Sequence, residues 1–272
     1  MTTDQKTSAV RRFLPKYLYA LAATPFLFTV GVLSERHRFM IFQIAKHFGM
    51  KMPAEKELLP ILPLSAVLTS KLDVTLLEPL FAGGNVSLLE LMVIANVAKQ
   101  AEPPMAFEIG TFDGRTTLNI AANLTLPAKV YTLDLPKSDL GETKFALAPG
   151  ETAFVDKTKS GARFIGTAYE KQITQLYGDS AAFDFSPYEG QMGLVFVDGS
   201  HSYDYILQDT ANALRLASDN GFILWHDYQQ DWPGVIRALN ELKERDKTCT
   251  GLAKIEGTSL VMLKRENSRR PA

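Results

Sequence analysis

A chain of 272 residues, 46% of them hydrophobic and 22% charged, can bury a full core in one domain of moderate size with an extension. Its 29 basic and 30 acidic residues leave a net charge of −1 and a pI near 6.4, without the basic excess of a nucleic-acid binder, so a DNA or RNA substrate is disfavoured. The single cysteine, Cys249, excludes an internal disulfide and a cysteine-based zinc cluster, and a reducing, cytoplasmic setting is the expected location.

The N-terminal region (1–85) reads as a helical extension followed by a connection. Residues 17–33 carry no charge. As a helix they would span about 25 Å, slightly short of a hydrocarbon core of roughly 30 Å. Pro25 would kink or split that helix. Basic residues lie on both sides, Arg11, Arg12 and Lys16 before it and Arg36 and Arg38 after it, so no charge bias sets a topology. Three readings stay open: a helical pair buried against its own domain, which is preferred; a homo-oligomer contact; and peripheral membrane contact through 11–38. Pro53, Pro60, Pro63 and Pro79, with Gly83-Gly84-Asn85, mark 51–85 as a connecting region with one short helix and a boundary at its end.

The main domain is expected over 86–265. Ser87-Leu-Leu-Glu90 is a capping-box pattern that opens an apolar helix through Val97. Met105 to Ile109 is a short strand running into Glu108-x-Gly110-x-x-x-Gly114. Gly110 lets the backbone approach a ligand, and the N–H groups of a helix starting at Gly114 to Thr117 face the same crevice. Lys129 to Leu135 is a second strand ending on Asp134, where a carboxylate can accept from both hydroxyls of a ribose. Nearly forty residues then precede the next strand, too many for a plain crossover. They are expected to be part helix and part segment over the active site, or else a surface insertion.

Ile173 to Tyr177 forms the third strand, followed by Gly178-Asp179-Ser180, in which Asp179 also has the ordinary reading of a cap. Gly193 to Asp198 is an apolar run ending in a carboxylate, as in a central parallel strand buried on both faces. After a helix over Tyr203 to Leu216, Gly221 to Trp225 repeats that form and ends in His226-Asp227-Tyr228. Runs at 252–255 and 259–263 around Glu256-Gly257-Thr258 predict an antiparallel hairpin. The tail after Lys264 is polar.

The glycine pattern is not that of a dinucleotide pyrophosphate site, so a nicotinamide enzyme is disfavoured. With the signals in this order, 86–265 resembles the class I S-adenosylmethionine (SAM)-dependent methyltransferases. Asp198-Gly-Ser-His-Ser-Tyr203 and Trp225-His-Asp-Tyr228 resemble the small-molecule and sugar O-methyltransferase branch. The resemblance implies a doubly wound, mostly parallel seven-stranded sheet with an antiparallel C-terminal hairpin. It implies SAM as cofactor, held by Glu108, Gly110, Thr111, Phe112, Gly114, Asp134, Asp179, Ser180 and Asp198, with Asp179 and Ser180 at the adenine. The acceptor is then a hydroxyl on a small molecule or glycan. A cleaved signal peptide would export this domain away from its cofactor.

Carboxylates at several strand ends suit the positive sulfonium, whereas a bare di- or triphosphate would meet only Arg115. His201, His226 and Asp198 are the expected catalytic residues, His201 being preferred as general base. A cap on the following helix is the competing role for His201. Asp198, His226 and Asp227 also resemble the divalent-metal positions of catechol-type O-methyltransferases, with His226 where an acidic residue is usual. That change moves the site from magnesium toward manganese, iron or zinc, or to no metal. Other readings are a metal-dependent hydroxylase-like enzyme on the same fold and a noncatalytic membrane-associated subunit.

Overall fold

Residues 18, 21–34, 37–38, 40–41, 55–68, 72–80 and 83–265 are described in a computed structural model. The chain divides into two compact units, Met1–Pro53 and Ala54–Ala272. In the first unit, residues 21–28 are helical and Val30–Leu33 form a 3-10 turn. The helix passes through Pro25 and stops three residues later, where the Thr29 hydroxyl donates to the Pro25 carbonyl at 2.6 Å. Leu21, Phe26, Phe28, Val30, Val32 and Leu33 are exposed, and only Leu27 and Gly31 in this stretch are buried. Among the described residues no helix is long and apolar enough to cross a membrane. The basic residues at 11–16 and Arg36, and the tail after Arg265, lie outside the described residues.

The second unit is an eight-stranded sheet with helices on both faces. In chain order the elements are β1 (Ile61–Leu62), α1 (Leu64–Val67), α2 (Leu88–Gln100), β2 (Met105–Ile109), α3 (Arg115–Asn123), β3 (Lys129–Asp134), α4 (Thr152–Val155), β4 (Ile173–Tyr177), β5 (Met192–Val197), α5 (Tyr203–Leu216), β6 (Ala217–Trp225), α6 (Pro233–Arg245), β7 (Ala253–Ile255) and β8 (Val261–Lys264). The sheet order is β1-β7-β8-β6-β5-β2-β3-β4. Strands β2 to β6 pair in parallel, and β8 runs antiparallel to β6 and β7. All seven expected strands are present. Strand β5 is buried along its whole length, and its alternation feeds both faces. Val195 and Val197 join the core with α5 and α6, while Leu194 and Phe196 join the core with α2 and α3.

The stretch expected as a connection with one short helix, 51–85, carries α1 and also a strand. Ile61 and Leu62 add the eighth strand by pairing in parallel with Lys254 and Ile255 of β7. Two asparagines one turn apart on α3 then strap the following stretch down. Asn119 exchanges two hydrogen bonds with the Leu77 backbone (2.8 and 3.0 Å), and Asn123 does the same with Thr75 (2.8 and 2.8 Å). Arg115, fully buried, donates to the carbonyls of Glu78, Val86 and Pro79. The compact unit that holds the sheet spans Ala54–Ala272.

The topological switch point lies between β2 and β5. The chain winds outward from β2 through β3 and β4, then returns to the other side of β2 with β5. Ligands in open sheets bind outside the strand carboxyl ends at such a point.

Candidate active site

A cavity of about 410 Å³ opens there, within the range of small-molecule sites. Gly110 closes its floor. The residue has φ of 102°, and a Cβ at this position would lie 2.0 Å from the Asp198 carbonyl oxygen, so only glycine fits. Helix α3 starts at Gly114, also left-handed (φ 85°), where a Cβ would meet Gly161 and Phe164 at 2.7 Å.

Of the residues expected at the cofactor, Gly110, Phe112, Asp134, Asp179, Ser180 and Asp198 line the cavity. Glu108, Thr111 and Gly114 do not. Strand alternation turns Glu108 away from the crevice, toward α3, where it accepts from the Thr117 hydroxyl and from Thr132 Oγ1 (2.6 Å). Complete burial raises its pKa to about 8 against those two hydrogen bonds, so at neutral pH it is mainly a neutral acid. Thr111 Oγ1 lies 2.7 Å from Thr132 Oγ1 and accepts from Gln175 Nε2 (2.9 Å). These three residues build the turn and leave the cavity to Gly110 and Phe112.

At the Gly110 end of the cavity the carboxylates already have partners. Asp134 at the end of β3 is paired with Lys157 at 2.7 Å and accepts from the Ser160 hydroxyl. Asp179 accepts from Lys144 N (2.7 Å), Ala181 N (2.9 Å) and the Tyr205 hydroxyl (2.8 Å). Its expected role as a cap is therefore observed alongside its place in the cavity. Lys144, Lys157 and Ser160 all come from the long insertion. That segment crosses the strand ends and contributes Leu147, Glu151, Phe154, Val155 and Lys157 to the lining.

The other end of the cavity is a cluster of two imidazoles and four carboxylates. His201 Nδ1 lies 2.5 Å from Glu151 Oε1, and its Nε2 lies 2.7 Å from Asp227 Oδ2. Its ring stacks on Trp232, with centroids 3.9 Å apart. Burial opposes its charge, but hydrogen bonds to Asp227 and Glu151 prevail and raise its pKa to about 9. His226 Nδ1 lies 3.1 Å from Asp198 Oδ1 and 3.2 Å from Asp227 Oδ2, and Nε2 lies 3.5 Å from Glu90 Oε2. Burial again disfavours the cation, yet Asp198 and Asp227 hold His226 well above the usual range. Asp198 is raised by burial, with His226 opposing that rise. For Asp227, burial would raise the pKa, but His226 and His201 hold it well below the usual carboxylate range.

His201 is the residue expected as general base. With both ring nitrogens on carboxylates it is a cation with no free lone pair. Its neighbour on the chain, Ser202, rather than His201, is the N-cap of α5.

Sequence reasoning missed Glu90, Glu151 and Lys157. The Glu90 carboxylate completes the capping box, accepting from Ser87 N at 2.8 Å, and also accepts from Ser259 N and Oγ at 2.8 Å each. The capping pattern marked the residue but gave it only a local task. Glu151 holds the Ser200 hydroxyl (2.7 Å) and the His201 backbone amide besides the His201 ring. No motif surrounds Glu151 or Lys157.

The donor atoms of Asp198, His201 and Asp227 lie within 4.8 Å of one another. The expected metal set was Asp198, His226 and Asp227. In the structure His201 takes the third place in this group, while His226 stands beside both carboxylates.

Residues 107–228 match the family model of a methyltransferase domain. The matched stretch runs from within β2 to just past β6, so the parallel part of the sheet is what is similar to a methyltransferase domain. A solved structure from Corynebacterium glutamicum has the same fold, with a TM-score of 0.52 at 13% identity over 69% of this chain and 85% of that one. The SAH-bound methyltransferase PaMTH1 of Podospora anserina aligns at a TM-score of 0.48 with 17% identity, over 68% and 81% of the two chains. The SAM-bound O-methyltransferase TomG of Streptomyces achromogenes, involved in tomaymycin synthesis, gives 0.48 and 18% over 67% and 82%. No curated protein sequence matches the chain.

Proposed function

We propose that this enzyme transfers the methyl group of SAM to a hydroxyl on a small molecule or glycan. The observation that carries the reading is the cavity at the switch point, with Gly110 and Asp134 at one end and the imidazole–carboxylate cluster at the other. Bound SAM supplies an electrophilic methyl on a positive sulfonium. Six carboxylates line the cavity, those of Glu90, Asp134, Glu151, Asp179, Asp198 and Asp227, against one lysine and two histidines. That excess of negative charge suits a cationic ligand and disfavours a phosphorylated one.

Holding the acceptor oxygen in line with the methyl–sulfur bond is the main task of such a site. The hydroxyl proton needs a placed acceptor. We assign it to Asp198, whose side chain is 19% exposed and is the most open of the Asp198–His226–Asp227 group. Burial makes Asp198 a stronger base than an ordinary aspartate, and His226 stands ready to neutralise it. Glu151, Asp227 and Trp232 fix the His201 ring in place. Phe154 meets Phe112 edge-on at 5.9 Å and helps exclude water. A cytoplasmic setting, where SAM is made, fits this reading.

A divalent cation also fits the donor set. Asp198, Asp227 and the Nε2 atom of His201 would hold it once the cation displaces the Nε2 proton, with Nδ1 of His201 donating to Glu151, as metal-bound histidines usually do to a carboxylate. Mixed carboxylate and imidazole donors favour manganese, iron or zinc over magnesium. Such an ion lowers the pKa of a bound hydroxyl.

Calorimetric titration tests the cofactor. Micromolar SAM binding, lost in Asp134→Ala and absent for NAD, is expected. A folded protein that ignores SAM would remove the reading. On a proven acceptor, unchanged turnover in EDTA would eliminate the metal.

A further inference from the structure

The charge of the chain is divided sharply between its two units. Residues 1–53 hold eight Lys and Arg against two Asp and Glu, a net charge of +6. The remaining residues hold 21 against 28, a net charge of −7. The near-neutral total conceals a strongly basic N-terminal unit. The same unit exposes Leu21, Phe26, Phe28, Val30, Val32 and Leu33, with Leu33 83% exposed. Contiguous exposed apolar groups of this size mark an interaction surface.

We infer that the N-terminal unit docks on an anionic lipid surface and holds the enzyme there as a peripheral protein. Phenylalanine, leucine and valine side chains enter the boundary between headgroups and acyl chains, while lysines and arginines on either side of the uncharged run meet lipid phosphates. Charge decides between the candidate occupants. A second copy of the unit would set +6 against +6, whereas an anionic bilayer offers the opposite sign. A membrane span is disfavoured by Pro25 in the middle of the uncharged run and by basic residues on both sides of it. Apolar insertion and basic attraction together supply the two signals that stable peripheral attachment requires.

Vesicle flotation of the full chain tests the inference. Vesicles of phosphatidylcholine alone are compared with vesicles containing about one-third phosphatidylglycerol, a level at which basic segments respond to surface potential. Binding to the anionic vesicles should be at least about tenfold stronger, and salt of about 0.5 M, which shortens the screening length, should release most of the protein. F26D combined with F28D should abolish flotation, and Arg36→Glu with Arg38→Glu should weaken it severely. Because Phe26 and Phe28 are exposed, the variants should keep the wild-type circular-dichroism melt, which checks that they fold. Equal binding to both vesicle types, or flotation unchanged in F26D/F28D, would overturn the inference. Retention through alkaline carbonate washing would also overturn it, in favour of a span. A dimer lost in F26D/F28D without any vesicle binding would assign the surface to a second copy.

Discussion

The two ends of the cavity are made in different ways. At the glycine end the shape comes from backbone: Gly110 sits against the Asp198 carbonyl, and Gly114 starts α3 in a conformation that side chains avoid. At the histidine end it comes from side chains, with His201 and His226 each held between carboxylates donated by β5, β6, α2 and the long insertion. A site of the first kind is defined by a local pattern and fails sterically. One of the second kind is assembled from distant residues and fails electrostatically.

The largest expected effect is at the backbone end. Gly110→Ala combines a left-handed φ with a carbonyl inside the new Cβ radius, and should cost at least about 3 kcal/mol. Urea unfolding measures the loss, and a drop below about 1 kcal/mol would show that the turn yields easily. At the other end, His226→Ala removes the cation between Asp198, Asp227 and Glu90. Breaking a buried pair in this way typically costs about 3–5 kcal/mol. The loss should shrink at acid pH, where the orphaned carboxylates can take up protons. A loss independent of pH would mean that packing, not charge, is what the imidazole provides.

The pH response of the intact protein sharpens the contrast. His201 is raised from 6.5 to about 9, so its stabilising contribution is complete below pH 6.5 and disappears as pH rises through 9. Melting temperature should fall across that window, and His201→Gln should flatten the slope. An unchanged slope in the variant would assign the titration elsewhere. The smallest effect belongs to Lys157→Met, which frees Asp134 from its ion pair. SAM binding should tighten by about 1 kcal/mol, the net scale of one hydrogen bond, because the largely buried carboxylate no longer has the lysine as a competing partner. Weaker binding would instead make Lys157 a direct cofactor contact.

These two modes of construction also explain what could be read from sequence. The seven long strands, the Ser87–Glu90 cap and the Gly110 turn follow from apolar runs and local geometry, and all are present. Asp134, Asp198, His226 and Asp227 were legible because each follows a strand directly, where topology brings the strand ends together. Glu108 falls outside the cavity lining, which its motif could not show because it fixes the residue type but not the strand face on which it lies. Glu151 was invisible, since nothing around it in the insertion signals that it reaches Ser200 and His201, about fifty residues further along. Strand β1 was missed for a related reason. Two residues between prolines carry no periodicity, and only β7 gives them a register.

That small strand sets where the protein can be shortened. Ile61 and Leu62 cover the outer edge of β7, with Pro60 and Leu62 carbonyls accepting from Lys254 and Glu256 amides at 2.9 Å each. A chain cut at residue 86, where the recognisable domain starts, would leave those amides bare on an open edge, ready to pair with the next molecule. Trimming at Ala54 keeps the edge covered, so shorter fragments should precipitate while that one stays monodisperse.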